Sequence, residues 1–246
     1  MPTALRGAAE DAAADLSKVA WIEGACLFGS VARDDHDDTS DIDILVLGTE
    51  SGRTPGEVRR QLRVDLRERV SISYYTAASL AVYLERWSRF AVHLRTEGEV
   101  LFDHSGRLRA LLDQPRPLST EFELRVQVEH LEALDHVERF GGLFLIPLAR
   151  LYGIGRTVVF ALLAELDVFE FNQNRAFDEL ARRLPEAAED IRTVDRLRPF
   201  AGIVRGRIEP DHLPFSPDGC PSEVKGAIEA IRRLTRFSQH AANLAD

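Results

Sequence analysis

The spacing of apolar and polar positions changes several times along the chain, and each change marks a different kind of element. Residues 4–19 mix Ala, Leu and Val with acids at helical spacing, predicting an amphipathic helix. Residues 21–28 read as a strand that stops where Gly29 permits a tight turn. Residues 42–47 form a short apolar run, the pattern of a central strand covered on both faces rather than of an edge strand. Residues 48–56 are turn-rich, and Pro55 suits the first turn of a helix predicted to run to about residue 69. The segment 70–76, VSISYYT, is a third strand with Ser71, Ser73 and Tyr75 on one face and Val70, Ile72 and Tyr74 on the other. Thr76 caps a helical region extending to about Thr96, and Gly98 stops it. EVLFD at 99–103 is a short fourth strand, followed by a helix over 107–113.

Beyond QPRPLS at 114–119 the texture changes. Two prolines mark a boundary. Residues 121–140, 147–166, 174–184 and 222–244 then show helical periodicity, and no strand pattern is evident. The second of these helices is apolar nearly all round, which places it at the centre of a small bundle. Residues 199–221, rich in Pro, Gly and Asp, read as a long loop. The expected class is α+β: strands and helices over 1–117, then an all-α bundle over 118–246.

Composition narrows the picture. A formal net charge of -9 and a pI near 5.4 argue against nucleic acid as a bulk partner, because phosphate binding normally leaves a basic footprint. An acidic surface tolerates a cationic small molecule, though acidity also serves solubility. Cys26 and Cys220 offer neither a disulfide framework nor metal-ligand spacing. The N-terminal segment carries acids throughout, unlike a signal peptide. The apolar stretch 143–166 is interrupted by Arg150, Arg156 and Glu165, so a core helix is expected rather than a membrane span. A cytoplasmic location without membrane contact follows as the expectation.

The chemistry is concentrated in residues 27–46, LFGSVARDDHDDTSDIDILV. Asp41 and Asp43 stand two apart at the start of a strand, so both carboxylates project from one face while Ile42 points into the core. Two such carboxylates repel unless a cation lies between them, and hard oxygen ligands suit Mg²⁺. Upstream, Gly29 and Ser30 close one strand and open what reads as a helix, where backbone N–H groups and a hydroxyl make an anion site. Arg33, one helical turn beyond Ser30, is placed to reach the same anion. Each part alone is commonplace, a turn or a solvated strand end; together they fit a metal-bound triphosphate.

The run GSVARDDHDDTSDIDILV resembles the signature of the DNA polymerase β-like nucleotidyltransferase superfamily: Gly-Ser, a loop, then Ser-Asp-x-Asp and an apolar strand. It is most similar to the minimal nucleotidyltransferases and the antibiotic adenylyltransferases. The resemblance implies a mixed sheet flanked by helices and transfer of a nucleoside monophosphate from a Mg²⁺-bound NTP to a hydroxyl. Asp41 and Asp43 would be the catalytic metal ligands; Gly29, Ser30, Arg33 and Ser40 would hold the nucleotide. ATP is the donor implied. The acceptor would be a small hydroxylated molecule or a protein, with the helical domain on the acceptor side. A homodimer stays open.

One position departs from that family. A third carboxylate is usual on the next strand, and here the position carries Ser71, with Ser73 as its neighbour on the same face. A serine hydroxyl is a poor metal ligand and a poor base. Three outcomes stay open: an acid from the helical domain, with Glu129, Glu132 and Asp135 as candidates; catalysis with a substrate-supplied base; or a degenerate fold that binds nucleotide as a regulator or antitoxin. Asp65 is expected mid-helix and is set aside. Lesser features are the acidic loop 34–38, a cation grip or simply a solvated loop, and His93, a helix-packing histidine. Arg150, Tyr152 and Arg156 on the apolar helix need partners. Arg207 and His212 have the spacing seen in HEPN ribonucleases, but Pro210 and Pro214 break the helical setting that motif requires.

Overall fold

The computed structural model describes residues 2–37, 40–206, 209, 211 and 213–244, with side chains described over 4–237. The chain divides into two compact units, Met1–Ser119 and Thr120–Asp246.

The first unit is built on a four-stranded sheet: β1 (Ile22–Phe28), β2 (Ile42–Gly48), β3 (Val70–Thr76) and β4 (Glu99–Asp103). The strand order is β3-β2-β1-β4; β2 and β3 run parallel, whereas β1 is antiparallel to both β2 and β4. Strand alternation sorts the side chains into two cores. Ala25, Leu27, Ile42, Ile44, Val46, Val70 and Ile72 meet Leu5, Ala9, Ala12 and Leu16 of α1 (Pro2–Leu16) and Val58 of α2 (Pro55–Arg59). Cys26, Leu45 and Leu47 meet Leu80 and Leu84 of α3 (Ala77–Arg86), Ala91 and Leu94 of α4 (Ser88–Glu97), and Leu108 and Leu112 of α5 (Arg107–Asp113). A central strand has to be apolar on both faces in such a three-layer arrangement. Every residue of β2 except Asp43 is buried.

Local chemistry sets the helix ends. Thr54 and Glu57 form a reciprocal capping box at α2, and Thr76 with Ser79 does the same at α3. The helix expected to reach residue 69 ends at Arg59. Arg67 donates to the carbonyl oxygens of Arg60 and Leu62, each at 2.9 Å, and only a short 3₁₀ turn, Val64–Leu66, follows. Asp65 therefore sits exposed in that turn rather than in mid-helix. The helical region expected from Thr76 to Thr96 is two helices, broken where Trp87 adopts φ -107 and ψ 60.

Among the described residues, the regular structure of the second unit is helical apart from one isolated bridge. It comprises α6 (Glu121–Leu134), α7 (Leu145–Glu165), α8 (Gln173–Arg183), α9 (Ala188–Asp195), α10 (Arg198–Val204) and α11 (Pro221–Leu244). α7 packs against each of the others, as its all-round apolar character demands. It is long and apolar enough to cross a membrane by composition, yet 61% of its most apolar window is buried within the fold. Its approach to α9 depends on Gly155, where a Cβ would lie 2.4 Å from Val194 Cγ1. Tyr152 is buried and donates to Gln173 Oε1 at 2.6 Å, whereas Arg150 is exposed. The loop expected from residue 199 begins later: Pro199 lies in the first turn of α10, where its missing N–H costs nothing. Arg207 and His212 lie outside the described residues.

Candidate active site

The site is assembled by register. Asp43 is the partner of Phe28 across the antiparallel β1–β2 pair and of Ser71 across the parallel β2–β3 pair. Residues in register share a face, so Asp43, Ser71 and Phe28 project from the side of the sheet that carries α3, α4 and α5. Asp41, just before β2, falls on the same side by alternation, while Ile42 between them is fully buried in the opposite core. Both carboxylates are half-buried.

The turn after β1 reaches Asp43 directly. Gly29 adopts φ +77, and a Cβ there would lie 2.7 Å from Asp43 Oδ2. Two independent constraints thus require glycine: a left-handed backbone and the close approach of a carboxylate. The helix expected beyond Ser30 is a single turn. Arg33 N donates to Gly29 O at 3.1 Å and Asp35 N to Ser30 O at 3.1 Å; the intervening Asp34, at φ +57, ends the turn. An anion here meets the N–H groups of one turn, a nest, rather than the dipole of a helix.

Arg33 and Ser40 hold the loop itself. The Arg33 guanidinium donates from Nε to both Asp35 carboxylate oxygens, at 3.2 and 3.1 Å, and from Nη1 to Glu97 Oε2 at 2.9 Å. Burial disfavours its charge, but the hydrogen bonds it donates to Asp35 and Glu97 outweigh this and hold its pKa above the ordinary value. Ser40 Oγ accepts from Asp37 N at 3.0 Å and donates to Asp37 Oδ1 at 3.1 Å, tying Ser40 to Asp37 just before Asp41. The acidic loop is thereby divided. Asp34 lies 4.0 Å from Arg6 of α1, Asp35 binds Arg33 and Asp37 binds Ser40, while Asp38 lies outside the described residues.

His93 and Glu97, one turn apart on α4, complete the surroundings. His93 Nε2 lies 2.9 Å from Glu97 Oε2, the same oxygen that Arg33 contacts. Its ring stands edge-on to Phe28 at 5.8 Å and to Phe90 at 6.1 Å. The pairing of Glu97 with Arg33 escapes a reading by motif because the two are 64 residues apart; the His93–Glu97 spacing of four was the available local signal. In the second unit, the candidate acids Glu129, Glu132 and Asp135 are all exposed, and Asp135 accepts from Arg232 at 3.0 Å.

Among the described residues, no group of three or more His, Cys, Asp or Glu side chains is arranged to hold a metal. The donor set at the sheet end is two carboxylates with Ser71 in the third place. That set suits Mg²⁺, which commonly takes one or two carboxylates and completes its shell with water and substrate phosphates. The contact between Gly29 and Asp43 leaves no room for a side chain between turn and carboxylate.

Residues 12–107 match the family model described as Polymerase beta, Nucleotidyltransferase. No curated protein matches the chain in sequence. Among solved structures, that of spectinomycin adenyltransferase AAD(9) from Enterococcus faecialis, with ATP and spectinomycin, is similar over 91% of this chain and 94% of that chain. The TM-score is 0.50 and the identity 11%, a likeness of fold.

Proposed function

The first unit carries a nucleotidyltransferase domain of the polymerase β family, and from that premise we propose that the protein transfers a nucleoside monophosphate from a Mg²⁺-bound NTP to a hydroxyl. The donor we assign is ATP, and the acceptor a small hydroxylated molecule. A protein side chain is the other acceptor class with the same chemistry. The neighbouring fold, solved with ATP and spectinomycin, supports a nucleotide donor and a small acceptor. We assign acceptor recognition to the helical unit.

The observation that carries this reading is the Gly29–Asp43 approach, which sets a phosphate-binding turn directly against one of two carboxylates on one face. In the reaction, the acceptor oxygen bonds to the α-phosphorus as the bond to pyrophosphate breaks in line. Gly29 and Ser30 would hold the triphosphate, and Asp41 and Asp43 would hold Mg²⁺, which when bound would supply neutralisation of charge developing on the phosphoryl group. Arg33 and Ser40 keep the loop between these elements in shape. Ser71 cannot accept the acceptor's proton at neutral pH, so that proton passes to water or to a base on the substrate.

The test is transfer from α-labelled ATP, in Mg²⁺, to a panel of hydroxylated small molecules and to proteins. Transfer that is lost in both Asp41→Ala and Asp43→Ala supports the assignment; label transfer that survives both removes it. Ser71 opposite Asp43 motivates a second reading that the family match does not favour, a nucleotide-binding regulator or antitoxin that catalyses nothing. It would be recognised by a wild type that binds Mg-ATP without transfer and a Ser71→Asp variant that gains transfer.

A further inference from the structure

We infer that Glu97 is a positioning residue for the nucleotide site, acting through Arg33 on the turn that carries Gly29 and Ser30. The inference rests on the nucleotidyltransferase reading and names a residue outside the signature that the reading uses.

The turn is attached to the fold at unequal strength on its two sides. On one side Gly29 continues from β1 and is pressed against Asp43. On the other, the chain leaves into the acidic loop, anchored at its start by backbone hydrogen bonds and by Val31, which is fully buried in the core. Among the described residues, two charged braces then reach the loop from α1 and α4. Arg6 of α1 contacts both Asp34 and Glu99, but the Asp34 side chain is 71% exposed and 4.0 Å away, and such surface pairs contribute little. Arg33 is different. Its side chain and those of Asp35, Glu97 and His93 are exposed by only 14, 19, 13 and 15%. The shielded brace is therefore the one through Glu97.

Geometry makes this brace specific to the site. Arg33 supplies the backbone N–H that closes the turn onto Gly29 O and also the guanidinium that reaches α4. A shift of Arg33 therefore moves the turn itself. On α4, His93 Nε2 lies 2.9 Å from the same Glu97 oxygen, and its ring abuts Phe28, the strand partner of Asp43. The contacts Phe28–His93–Glu97–Arg33–Gly29 thus link the strand partner of Asp43 to the turn that its carboxylate approaches. With Gln in place of Glu97, Arg33 keeps Asp35 but loses the charged anchor on α4, and the turn and the carboxylate pair are no longer held in fixed relation. Misplacement of about 1 Å in such a constellation costs on the order of 10²-fold in rate.

The experiment compares full-length wild type, Glu97→Gln and the charge-conserving Glu97→Asp by two readouts. The first is hydrogen exchange of the protein without nucleotide, peptide by peptide. In Glu97→Gln, faster exchange should be confined to residues 29–37 and spare β3 and α3, and Glu97→Asp should restore part of the protection. The second is calorimetric binding of Mg-ATP, which should weaken about 10-fold in Glu97→Gln and less in Glu97→Asp. Unchanged Mg-ATP binding in Glu97→Gln, or loosening spread over the whole first unit, overturns the inference while leaving the nucleotidyltransferase reading in place. A wild type that does not bind Mg-ATP overturns both, and that outcome is read from the wild type alone.

Discussion

Gly29 and Asp43 lie so close that a Cβ at position 29 would come within 2.7 Å of the Asp43 carboxylate oxygen. Gly29→Ala therefore meets two obstacles. The φ of +77 costs about 1–2 kcal/mol for an L-residue, and the new methyl group displaces the carboxylate or the turn. The expected outcome is a modest fall in melting temperature with complete loss of Mg-ATP binding in calorimetry. Retained nucleotide affinity in a folded Gly29→Ala protein would mean that the approach is packing alone.

Ser71 stands in register with Asp43, so Ser71→Asp brings like charges together on adjacent strands. Such a pair is destabilising without a cation between them. The variant should melt below wild type in chelator, and Mg²⁺ should raise its melting temperature more than that of wild type. If transfer is limited by the missing base, the rate should also rise by about 10²-fold or more. Equal Mg²⁺ responses in the two proteins would show that position 71 does not face the metal.

How far the chain could be read in advance differs between its parts. The strands 70–76 and 99–103 and the helix 107–113 carry unmixed periodic patterns between turn residues, and the structure has them at those residues. Ile42 between Asp41 and Asp43 was enough to place the carboxylates on one face. Three features were hidden. Arg67 turning back onto Arg60 and Leu62 ends α2 early, a side-chain choice no periodicity displays. α9 and α10 are too short to outvote the prolines around them, although Pro199 occupies a tolerated first-turn position. The engagement of Arg33 by Glu97 spans 64 residues, and local spacing carries no trace of it. The sequence pointed to the candidate residues Gly29, Asp41 and Asp43 but not to the contacts of Arg33 and Glu97 beside them.

Gly155 offers a test of the helical unit. A Cβ there would lie 2.4 Å from Val194 Cγ1 and 3.3 Å from Ile231 Cγ1, inside the core. Gly155→Ala overpacks the α7–α9 contact and should destabilise by about 1–3 kcal/mol in urea titration. Val194→Ala made in the same chain should recover part of that loss, a coupling visible in a double-mutant cycle. Strict additivity of the two substitutions would contradict the packing described.

The cysteines differ in reactivity for a physical reason. Burial, with Glu99 adding to it, pushes the Cys26 thiol up to about 12. Cys220 is only partly buried. At neutral pH a thiol reagent should label Cys220 in the native protein and Cys26 only after unfolding. The sign of the linkage follows: a thiol raised in the folded state favours folding below its unfolded value near 9, and that contribution is lost as pH rises from 9 towards 12. Cys26→Ala should therefore flatten the fall in stability across that alkaline window; an unchanged profile would place the loss elsewhere.

The central claim is that Asp41 and Asp43 bind a metal-triphosphate beside the Gly29 turn. Isothermal calorimetry of ATP with wild type and with Asp43→Asn, each in Mg²⁺ and in chelator, tests it most directly. Wild type should bind ATP saturably and only with Mg²⁺ present, and that binding should disappear in Asp43→Asn. Binding that is equal with and without Mg²⁺, or equal in the two proteins, would contradict it.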